Sequence, residues 1–199
     1  MSGTDHVRRA GPGDAERLAG ILAEGFMDDP VSRWLFPDAE DRASRHPAFF
    51  RVFTDHVLAR GAGYLTTTND AAALWLDVDP EGPQAPEIAE ELLAAALGPN
   101  LDRFRTLDAL MQAGHPHQPA HAYLPFVAVL PRRQNHGIGA ALLRHRLVAL
   151  DATGTPAYLE ASSARSLRLY ERLGFTSLPA TIELPDGPEM YPMWRPAHR

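Results

Sequence analysis

The stretch VLPRRQNHGIGAALL, residues 129–143, interrupts an apolar run with polar residues and two glycines and then resumes with a helical pattern. The first turn of a helix carries backbone N–H groups that no carbonyl of the same helix accepts. Such groups bind phosphate oxygens. Arg132, Arg133 and His136 add positive charge at the same turn. The stretch therefore predicts a site for an anion, and the arrangement suits a pyrophosphate.

Two common nucleotide-binding motifs do not fit this stretch. A dinucleotide fingerprint needs a third glycine three residues after the second, and an acidic residue about 20 positions further on. Here Leu142 stands where that third glycine would follow Gly137 and Gly139, and no such acidic residue ends a following strand. The P-loop needs a lysine, and this chain contains neither lysine nor cysteine. The missing residue types also exclude a thiolate nucleophile of the chain itself, Schiff-base chemistry and lysine-bound pyridoxal phosphate.

The composition predicts one globular domain over residues 1–199. The chain is 45% hydrophobic and has a formal net charge of −6, with its arginines spread along the sequence. This charge argues against binding to nucleic acid. No apolar run approaches the roughly 20 residues that span a bilayer, and the first residues lack the apolar segment of a signal peptide. We expect a cytoplasmic protein that binds no membrane.

Hydrophobic periodicity and turn residues predict alternating helices and strands in the first half of the chain. A strand is predicted around Val7, and a hairpin turns at Asn69 and Asp70. Helices are predicted after a cap at Gly13 or Asp14, from Pro30, from Pro47 to Gly61, from Pro86 to Gly98, and after a cap at Asn100. The segment DPEGPQAP is predicted to be a loop.

The second half continues this alternation. AYLPFVAVLP is predicted to be a strand buried on both faces, GIGAALLRHRLVAL a helix, PAYLEA a strand and SARSLRLYERLG a helix closed by Gly174. FTSL, TIEL and MYPMW are strand candidates. Before them, HPHQP reads as a linker. His115, His117 and His121 are assigned to a solvated loop rather than a metal site, because no cysteine or helical ligand spacing accompanies them.

The segment QNHGIGA, residues 134–140, matches the Arg/Gln-x-x-Gly-x-Gly/Ala signature of the GNAT superfamily of acetyl-CoA-dependent N-acetyltransferases. FVAVLPRRQNHGIGAALL resembles the pyrophosphate motif of that family. PAYLEASSARSLRLYERLGF is similar to the strand and helix that follow it, with the ending Tyr-x-x-x-Gly-Phe. The resemblance covers nearly the whole chain. FMDDPVSRWLFPD and ELPDGPEMYPMWRP most resemble the puromycin N-acetyltransferase group of actinobacterial small-molecule acetyltransferases.

The resemblance implies an α/β fold whose central mixed sheet of six or seven strands is splayed in the middle. It implies acetyl transfer from acetyl-CoA to a primary amine of a small molecule. Because the chain has no cysteine or lysine nucleophile, direct transfer within a ternary complex is the simpler mechanism. We expect a monomer or homodimer without a metal. Two alternatives remain open, namely an enzyme that acetylates peptides or proteins and a non-catalytic CoA-binding module.

The same resemblance implies which residues hold acetyl-CoA. Backbone N–H groups near Ala128 and Val129 would polarise the thioester carbonyl. The sequence departs from the family pattern where Asn135 replaces a glycine, His136 a basic residue and Ser166 an asparagine. The full predicted set is Val127, Ala128, Val129, Arg132, Arg133, Gln134, Asn135, His136, Gly137, Ile138, Gly139, Ala140 and Ser166.

Pro125 stands inside the predicted strand AYLPFVAVLP, although proline cannot donate a hydrogen bond to a neighbouring strand. In the family this strand is bulged and diverges from its neighbour, so that the pantetheine arm binds in the gap. Pro125 is either part of that bulge or an ordinary proline at a strand end.

Tyr170 and Glu160 are the candidate catalytic residues. Tyr170 lies on a helical apolar stripe, so its phenol either packs in the core or, as the family implies, protonates the departing thiolate. Alternation along AYLEA puts Glu160 on the face of Tyr158, opposite the apolar residues. A carboxylate there is costly unless paired or hydrated. Glu160 is therefore either paired with an arginine or a base that acts through water.

Four residues are assigned to the acceptor site, Phe26, Asp29, Trp34 and Tyr158. Asp29 either attracts a cationic amine or caps the next helix. Trp34 either packs in the core or borders the acceptor pocket. The second role follows from the resemblance, because in the family the first loop between helices lies beside that pocket.

Overall fold

The computed structural model describes residues 6–79, 81 and 88–198. Their helices and strands follow one another in the order predicted, with short 3-10 turns at Pro12–Asp14, Gly98–Asn100 and Pro131–Arg133. The elements are β1 (Val7–Arg9), α1 (Ala15–Gly25), α2 (Pro30–Leu35), α3 (Ala39–Arg60), β2 (Ala62–Thr66), β3 (Ala71–Val78), α4 (Glu90–Leu97), α5 (Leu101–Gly114), β4 (His121–Val129), α6 (Ile138–Thr153), β5 (Ala157–Ala161), α7 (Ala164–Glu171), β6 (Thr176–Ser177), β7 (Ile182–Glu183) and β8 (Glu189–Arg195).

The strands form one mixed sheet in the order β1-β2-β3-β4-β5-β8-β6, and β7 pairs with β8 outside this path. All neighbours are antiparallel except β4 and β5, which run parallel. The α/β class and the mixed sheet are confirmed. Seven strands form the continuous path as expected, and the short β7 adds an eighth.

The parallel pair β4 and β5 is joined only at its beginning. Ala122 pairs with Ala157 and Tyr123 with Tyr158, whereas β4 continues to Val129 and β5 to Ala161. The two strands therefore share no ladder over most of their length, which gives the sheet the predicted splay.

Pro125 lies inside β4 at an irregularity of the ladder with β3. Leu74 pairs with Phe126, whereas Leu76 pairs with Tyr123. Two residues of β4, Leu124 and Pro125, therefore lie opposite the single residue between them on β3, which is a β-bulge. Because the bulged residues need not donate to the ladder, a proline is tolerated there. The strand-end explanation of Pro125 is wrong.

The sheet separates two apolar clusters. The cluster on one face packs α1, α3 and α4 against β3 and β4, with Leu22, Phe50 and Leu97 almost fully buried. The other packs α6 and α7 against β3, β4 and β5 around Leu142 and Leu159. Successive residues of β5 thus face opposite sides of the sheet, with Leu159 in the α6 cluster and Glu160 on the other side.

Several element boundaries differ from the sequence predictions. α3 begins before Pro47, because Asp38 caps it by accepting a hydrogen bond from the Asp41 N–H at 2.7 Å. α4 begins at Glu90, and most of the predicted loop DPEGPQAP lies outside the described residues. β4 is buried on both faces only in part, since Phe126 and Val127 are half-buried. None of the helices described is long and apolar enough to cross a membrane.

Candidate active site

The turn before α6 exposes backbone N–H groups where the sequence predicts an anion site. Asn135 and Gly137 have left-handed φ angles of 66° and 79°, and the N–H of Ala141 donates to the Gly137 carbonyl at 3.0 Å to begin the helix. The N–H groups of Ile138 to Ala140 therefore have no carbonyl within α6 to accept them. A Cβ built on Gly137 would meet no atom within 4 Å, so space remains at the turn. This open turn fits a pyrophosphate.

Side chains stabilise the shape of this turn. The amide of Gln134 donates to the Val129 carbonyl at 3.1 Å, and the Nδ1 of His136 lies 2.7 Å from the Gln134 carbonyl. Arg165, in the first turn of α7, donates to the Asn135 side chain at 2.9 Å. Arg165 was not among the predicted site residues, although its position beside Ser166 in the second family motif was a usable signal.

Arg132 and Arg133, both assigned to the cofactor, form ion pairs with the protein. Arg132 lies 3.2 Å from the carboxylate of Glu24, at the end of α1. Arg133 lies 3.1 Å from the carboxylate of Asp70, in the β2–β3 turn. Both guanidinium groups thus bridge the turn to neighbouring elements. Each arginine has five N–H donors, so these pairs do not use up its donor capacity.

The hydrogen bonds between β4 and β3 determine which N–H groups of β4 face the gap between β4 and β5. Leu130 donates to the Asp70 carbonyl at 2.8 Å, and Ala71 pairs with Val129. Because antiparallel bonds alternate, the N–H of Ala128 points to β3, while those of Val127 and Val129 point to the β5 side. The expectation for Ala128 is wrong on this point. Val129 and Val127 have the orientation needed to meet a carbonyl in the gap.

Tyr170, near the end of α7, is 7% exposed and lies within the electrostatic reach of Asp29. Burial first, and then the negative charge of Asp29, raises the pKa of this phenol well above its usual value. The phenol therefore remains protonated at neutral pH. Its ring also packs against Phe175, with 6.0 Å between ring centroids. The position allows both the core role and the proton-donor role predicted for it.

Asp29 joins two parts of the chain. One carboxylate oxygen caps α2 by accepting the N–H groups of Val31 and Ser32 at 2.9 and 3.1 Å, and the other accepts the hydroxyl of Ser162. Burial raises the pKa of Asp29, and these hydrogen bonds oppose the rise. The capping role is present, and the charge lies close to Tyr170 as well.

Ser166, where the family often has asparagine, takes part in the cap of α7. Its hydroxyl donates to the Ser163 carbonyl at 2.9 Å, and its N–H donates to the Ser163 hydroxyl at 3.2 Å. The side chain thus has a local structural partner.

Glu160 lies on the face of β5 opposite the α6 cluster, as alternation predicts. Its side chain is 2% exposed, and the ion pair recorded for it is with His115, whose Nδ1 is 3.8 Å from Oε1. Among the described residues no arginine pairs with Glu160, so the arginine alternative is wrong there. The Oε1 atom and the hydroxyl of Tyr158 are buried without a hydrogen bond from the described protein. Tyr158 is fully buried.

His115 and His121 are not in a solvated loop, contrary to the sequence prediction. His121 begins β4 and is 2% exposed, and the ring of His115 lies 4.6 Å from Tyr158 and 4.8 Å from Tyr123. Only His117 of the three is exposed. The chain spacing gave no signal for this packing, because it depends on β5. Within the part of the chain that the structure describes, no cluster of three or more His, Cys, Asp or Glu residues is arranged to hold a metal ion.

Phe26 and Trp34 occupy two further positions. Phe26 packs in the core against Phe50, with 5.2 Å between ring centroids. Trp34 donates its indole N–H to the Pro185 carbonyl at 2.8 Å, and Arg103 lies 5.2 Å from its ring centroid. The four predicted acceptor residues are therefore not brought into one cluster. Phe26 packs in the core, and Trp34 contacts the turn between β7 and β8. Asp29 lies near Tyr170, and Tyr158 lies near Glu160.

Two surface depressions lie outside the α6 turn. One of about 330 Å³ is lined by Trp34, Arg103 and Pro185 among others. The other, of about 260 Å³, includes Gly114, Ile182 and Pro192. Gly114 precedes His115 in the chain, and Pro192 is the ladder partner of Glu160. The lining of the second depression thus includes a chain neighbour of His115 and a ladder neighbour of Glu160.

Comparison with known proteins gives concordant matches. A model of the acetyltransferase (GNAT) family matches residues 22–175. A solved structure from Corynebacterium glutamicum, described as histone acetyltransferase HPA2 and related acetyltransferase, is 25% identical, with coverage of 97% of this chain and 96% of that chain and a TM-score of 0.69. Arylalkylamine N-acetyltransferase 2 from Aedes aegypti has the same TM-score of 0.69 at 13% identity, with coverage of 97% and 99%, and shows similarity of fold alone.

Proposed function

This chain belongs to the acetyltransferase (GNAT) family, and on that basis we propose that it transfers the acetyl group of acetyl-CoA to a primary amine of a small molecule. The observation that carries the proposal is the gap where β4 and β5 separate beside the open turn before α6. The turn offers N–H groups to a pyrophosphate, and the gap offers those of Val127 and Val129 to an acyl carbonyl. Neighbouring backbone N–H groups are thus available to both the pyrophosphate and the acyl carbonyl of an acyl-CoA.

Acetyl-CoA supplies an activated acetyl thioester, and the residues of this chain manage its charges and protons. The turn at Gly137 holds the phosphates, and the N–H groups facing the gap stabilise the oxyanion. Glu160 takes the proton that the ammonium must lose before its nitrogen attacks. The carbon–sulfur bond then breaks and its electron pair stays on sulfur, and Tyr170 donates its phenolic proton to the thiolate. The second proton that the nitrogen loses as it becomes the amide restores the phenol. Because the chain contains no cysteine or lysine that could carry the acetyl group, the amine attacks acetyl-CoA directly and no acyl-enzyme forms.

The assignment to a small acceptor, as for the puromycin group, rests on the two segments that resemble that group. They pack against each other, since Trp34 donates to Pro185 and a Cβ on Gly187 would overlap the indole. They would form one wall of the acceptor site. All groups used here come from one chain, so a monomer or a homodimer would carry a complete site. We place the reaction in the cytoplasm, where acetyl-CoA is available.

A turnover assay tests this proposal. Purified protein and acetyl-CoA are combined with puromycin, aminoglycosides, polyamines or peptides, and release of free CoA is measured. We expect turnover with at least one small amine and much less with peptides. Turnover with peptides alone would favour a protein acetyltransferase, as the description of the Corynebacterium glutamicum relative suggests. Binding of acetyl-CoA without turnover of any amine would indicate a CoA-binding module.

Mass spectrometry tests direct transfer. Protein mixed with acetyl-CoA alone should keep its unmodified mass, because transfer needs both substrates bound. A trapped acetyl adduct together with parallel-line kinetics would refute the ternary-complex mechanism.

A further inference from the structure

A line of polar contacts runs from Glu160 through two histidines to a backbone carbonyl. The Nδ1 of His121 lies 2.8 Å from the Pro119 carbonyl, and its Nε2 lies 3.1 Å from the Nε2 of His115. The Nδ1 of His115 lies 3.8 Å from Glu160 Oε1. The line joins the residue that follows α5 to β4 and β5, and none of the steps assigned so far uses its histidines.

The carbonyl at one end determines where the protons lie. A carbonyl only accepts, so the Nδ1 of His121 carries the proton. Burial lowers the pKa of His121, so its ring is neutral at neutral pH and its Nε2 holds a lone pair. The Nε2 of His115 must then donate to it. In neutral His115 the Nδ1 therefore presents a lone pair to the carboxylate of Glu160.

We propose that His115, held by His121, is the positioning residue that shares with Glu160 the proton released by the acceptor ammonium. Two lone pairs that face each other repel, and a proton placed between them satisfies both. The pair of Glu160 and His115 is therefore arranged to take up one proton. This inference rests on the proposed acetyl transfer, in which Glu160 receives the proton.

The proton balance of this step is complete. The N–H bond of the ammonium breaks, its electron pair stays on nitrogen, and an O–H bond forms on Glu160. The proton then moves to the Nδ1 of His115, which needs an approach of under about 1 Å to reach hydrogen-bond distance. His115 has a side chain 20% exposed, compared with 2% for Glu160. The proton leaves to water from this ring after the product has departed.

The groups around the pair do not replace this role. Tyr123 and Tyr158 face Glu160, and burial, followed by the charge of Glu160, raises the pKa of both phenols. Both phenols therefore remain protonated and accept no proton as bases. Asp108, on α5, acts on Tyr123 through its charge. His121, on β4, interacts through charge with both His115 and Glu160.

Nitrogen NMR tests the arrangement without any acetyl transfer. In the wild-type protein, the ring ¹⁵N shifts should show a proton on the Nδ1 of His121 and on the Nε2 of His115. Glu160→Gln should move the Nδ1 resonance of His115 and leave both nitrogens of the exposed His117 unchanged. Identical His115 resonances in the two proteins would overturn the proposal.

Kinetics of His115→Gln test the role in transfer, with His117→Gln as the matched control from the same segment. The acceptors are benzylamine, which is an ammonium at neutral pH, and aniline, which is already neutral. We expect His115→Gln to lower kcat for benzylamine about 10²-fold, at the lower end of the range for lost proton transfer. Aniline turnover, the KM for acetyl-CoA and the control variant should stay unchanged.

Each other outcome has a distinct meaning. An equal loss with both amines, or no loss with either, would overturn the proton-sharing role, because packing does not depend on acceptor charge. If the wild-type protein acetylated no amine, the proposed function itself would fail, while the NMR comparison would still report whether Glu160 and His115 share a proton. If His115→Gln did not fold, the Glu160→Gln comparison would decide.

Discussion

The phenol of Tyr170 is protonated over the whole neutral range, because burial and the nearby charge of Asp29 raise its pKa. A general acid must hold its proton until the leaving group needs it, and this phenol meets that condition. The ring of Tyr170 also packs in the core against Phe175. Removal of the hydroxyl with retention of the ring separates the two roles.

Tyr170→Phe should lower kcat about 10² to 10⁴-fold, the usual loss for a general acid. Acetyl-CoA affinity and the melting temperature should change little, because the ring remains. The measurement is steady-state kinetics together with calorimetric binding. Tyr191→Phe is the control, since it removes the half-buried phenol that donates to Glu189 on β8. Near-normal turnover of Tyr170→Phe would assign Tyr170 to the core.

Asp29→Asn should weaken the binding of cationic acceptors. Asparagine keeps the cap of α2, because both residues cap helices well, but the negative charge is lost. We expect the KM of an ammonium acceptor to rise about tenfold, which corresponds to about 1.4 kcal/mol. The KM of a neutral aromatic amine should stay constant.

The stability of this variant should not fall at neutral pH. The folded-state pKa of Asp29 is raised by burial, so its ionisation costs stability as pH rises through that value, and asparagine removes the cost. Asp38→Asn is the matched control, since Asp38 caps α3 at an exposed site. A tenfold rise in KM in that control would contradict the assignment to Asp29.

At the scale of elements, the start of α6 carries the prediction for cofactor binding. At 100 times its Kd, acetyl-CoA should stabilise the protein by about 2.7 kcal/mol through mass action. Gly139→Asp should abolish this gain, because a carboxylate in the first turn repels phosphate. Gly20→Asp, on the exposed surface of α1 where a Cβ meets no atom within 4 Å, should retain it. Thermal melts with and without acetyl-CoA measure both, and an unchanged shift in Gly139→Asp would refute the phosphate site.

At the scale of the whole molecule, Asp151 joins α6 to β8 and to the end of the described chain. Arg195 donates to both its oxygens at 2.7 Å, and the N–H of His198 donates at 2.8 Å. The hydrogen bonds from Arg195 are the main cause that lowers the pKa of Asp151 to about 2. The folded pKa is below the unfolded value of about 3.9, so the stabilisation is present above that value and is lost as pH falls toward 2.

Asp151→Asn should lower the free energy of unfolding by about 3 kcal/mol at neutral pH, because Arg195 is 5% exposed and loses its ion-pair partner. Near pH 2 the variant and the wild type should differ little. Urea unfolding at the two pH values gives the comparison. Asp55→Asn, which breaks an exposed pair with Arg51, should cost less than about 1 kcal/mol. An equal loss in both variants at neutral pH would contradict the role of burial.

The elements of the fold follow from local sequence to a large extent. The hairpin turns at Asn69, whose φ of 56° is one that asparagine adopts more readily than most residues. α6 begins after Gly137 and ends before Gly154, and both glycines have left-handed φ angles. The early start of α3 was missed, because the cap at Asp38 outweighs Pro47 inside the helix. Turns and caps depend on neighbours in the chain, so sequence patterns report them well.

Local sequence was enough to predict the turn before α6, the order of elements and the face of β5 that carries Glu160, because each depends on residues within a few positions of one another. The partners of the side chains, in contrast, depend on tertiary packing. Asp29 meets Ser162 across 133 positions of sequence, and His115 and His121 meet Glu160 only once α5 and β4 pack on β5. Periodicity states which face a side chain takes, but not which distant side chain shares that face, since that depends on how the elements pack.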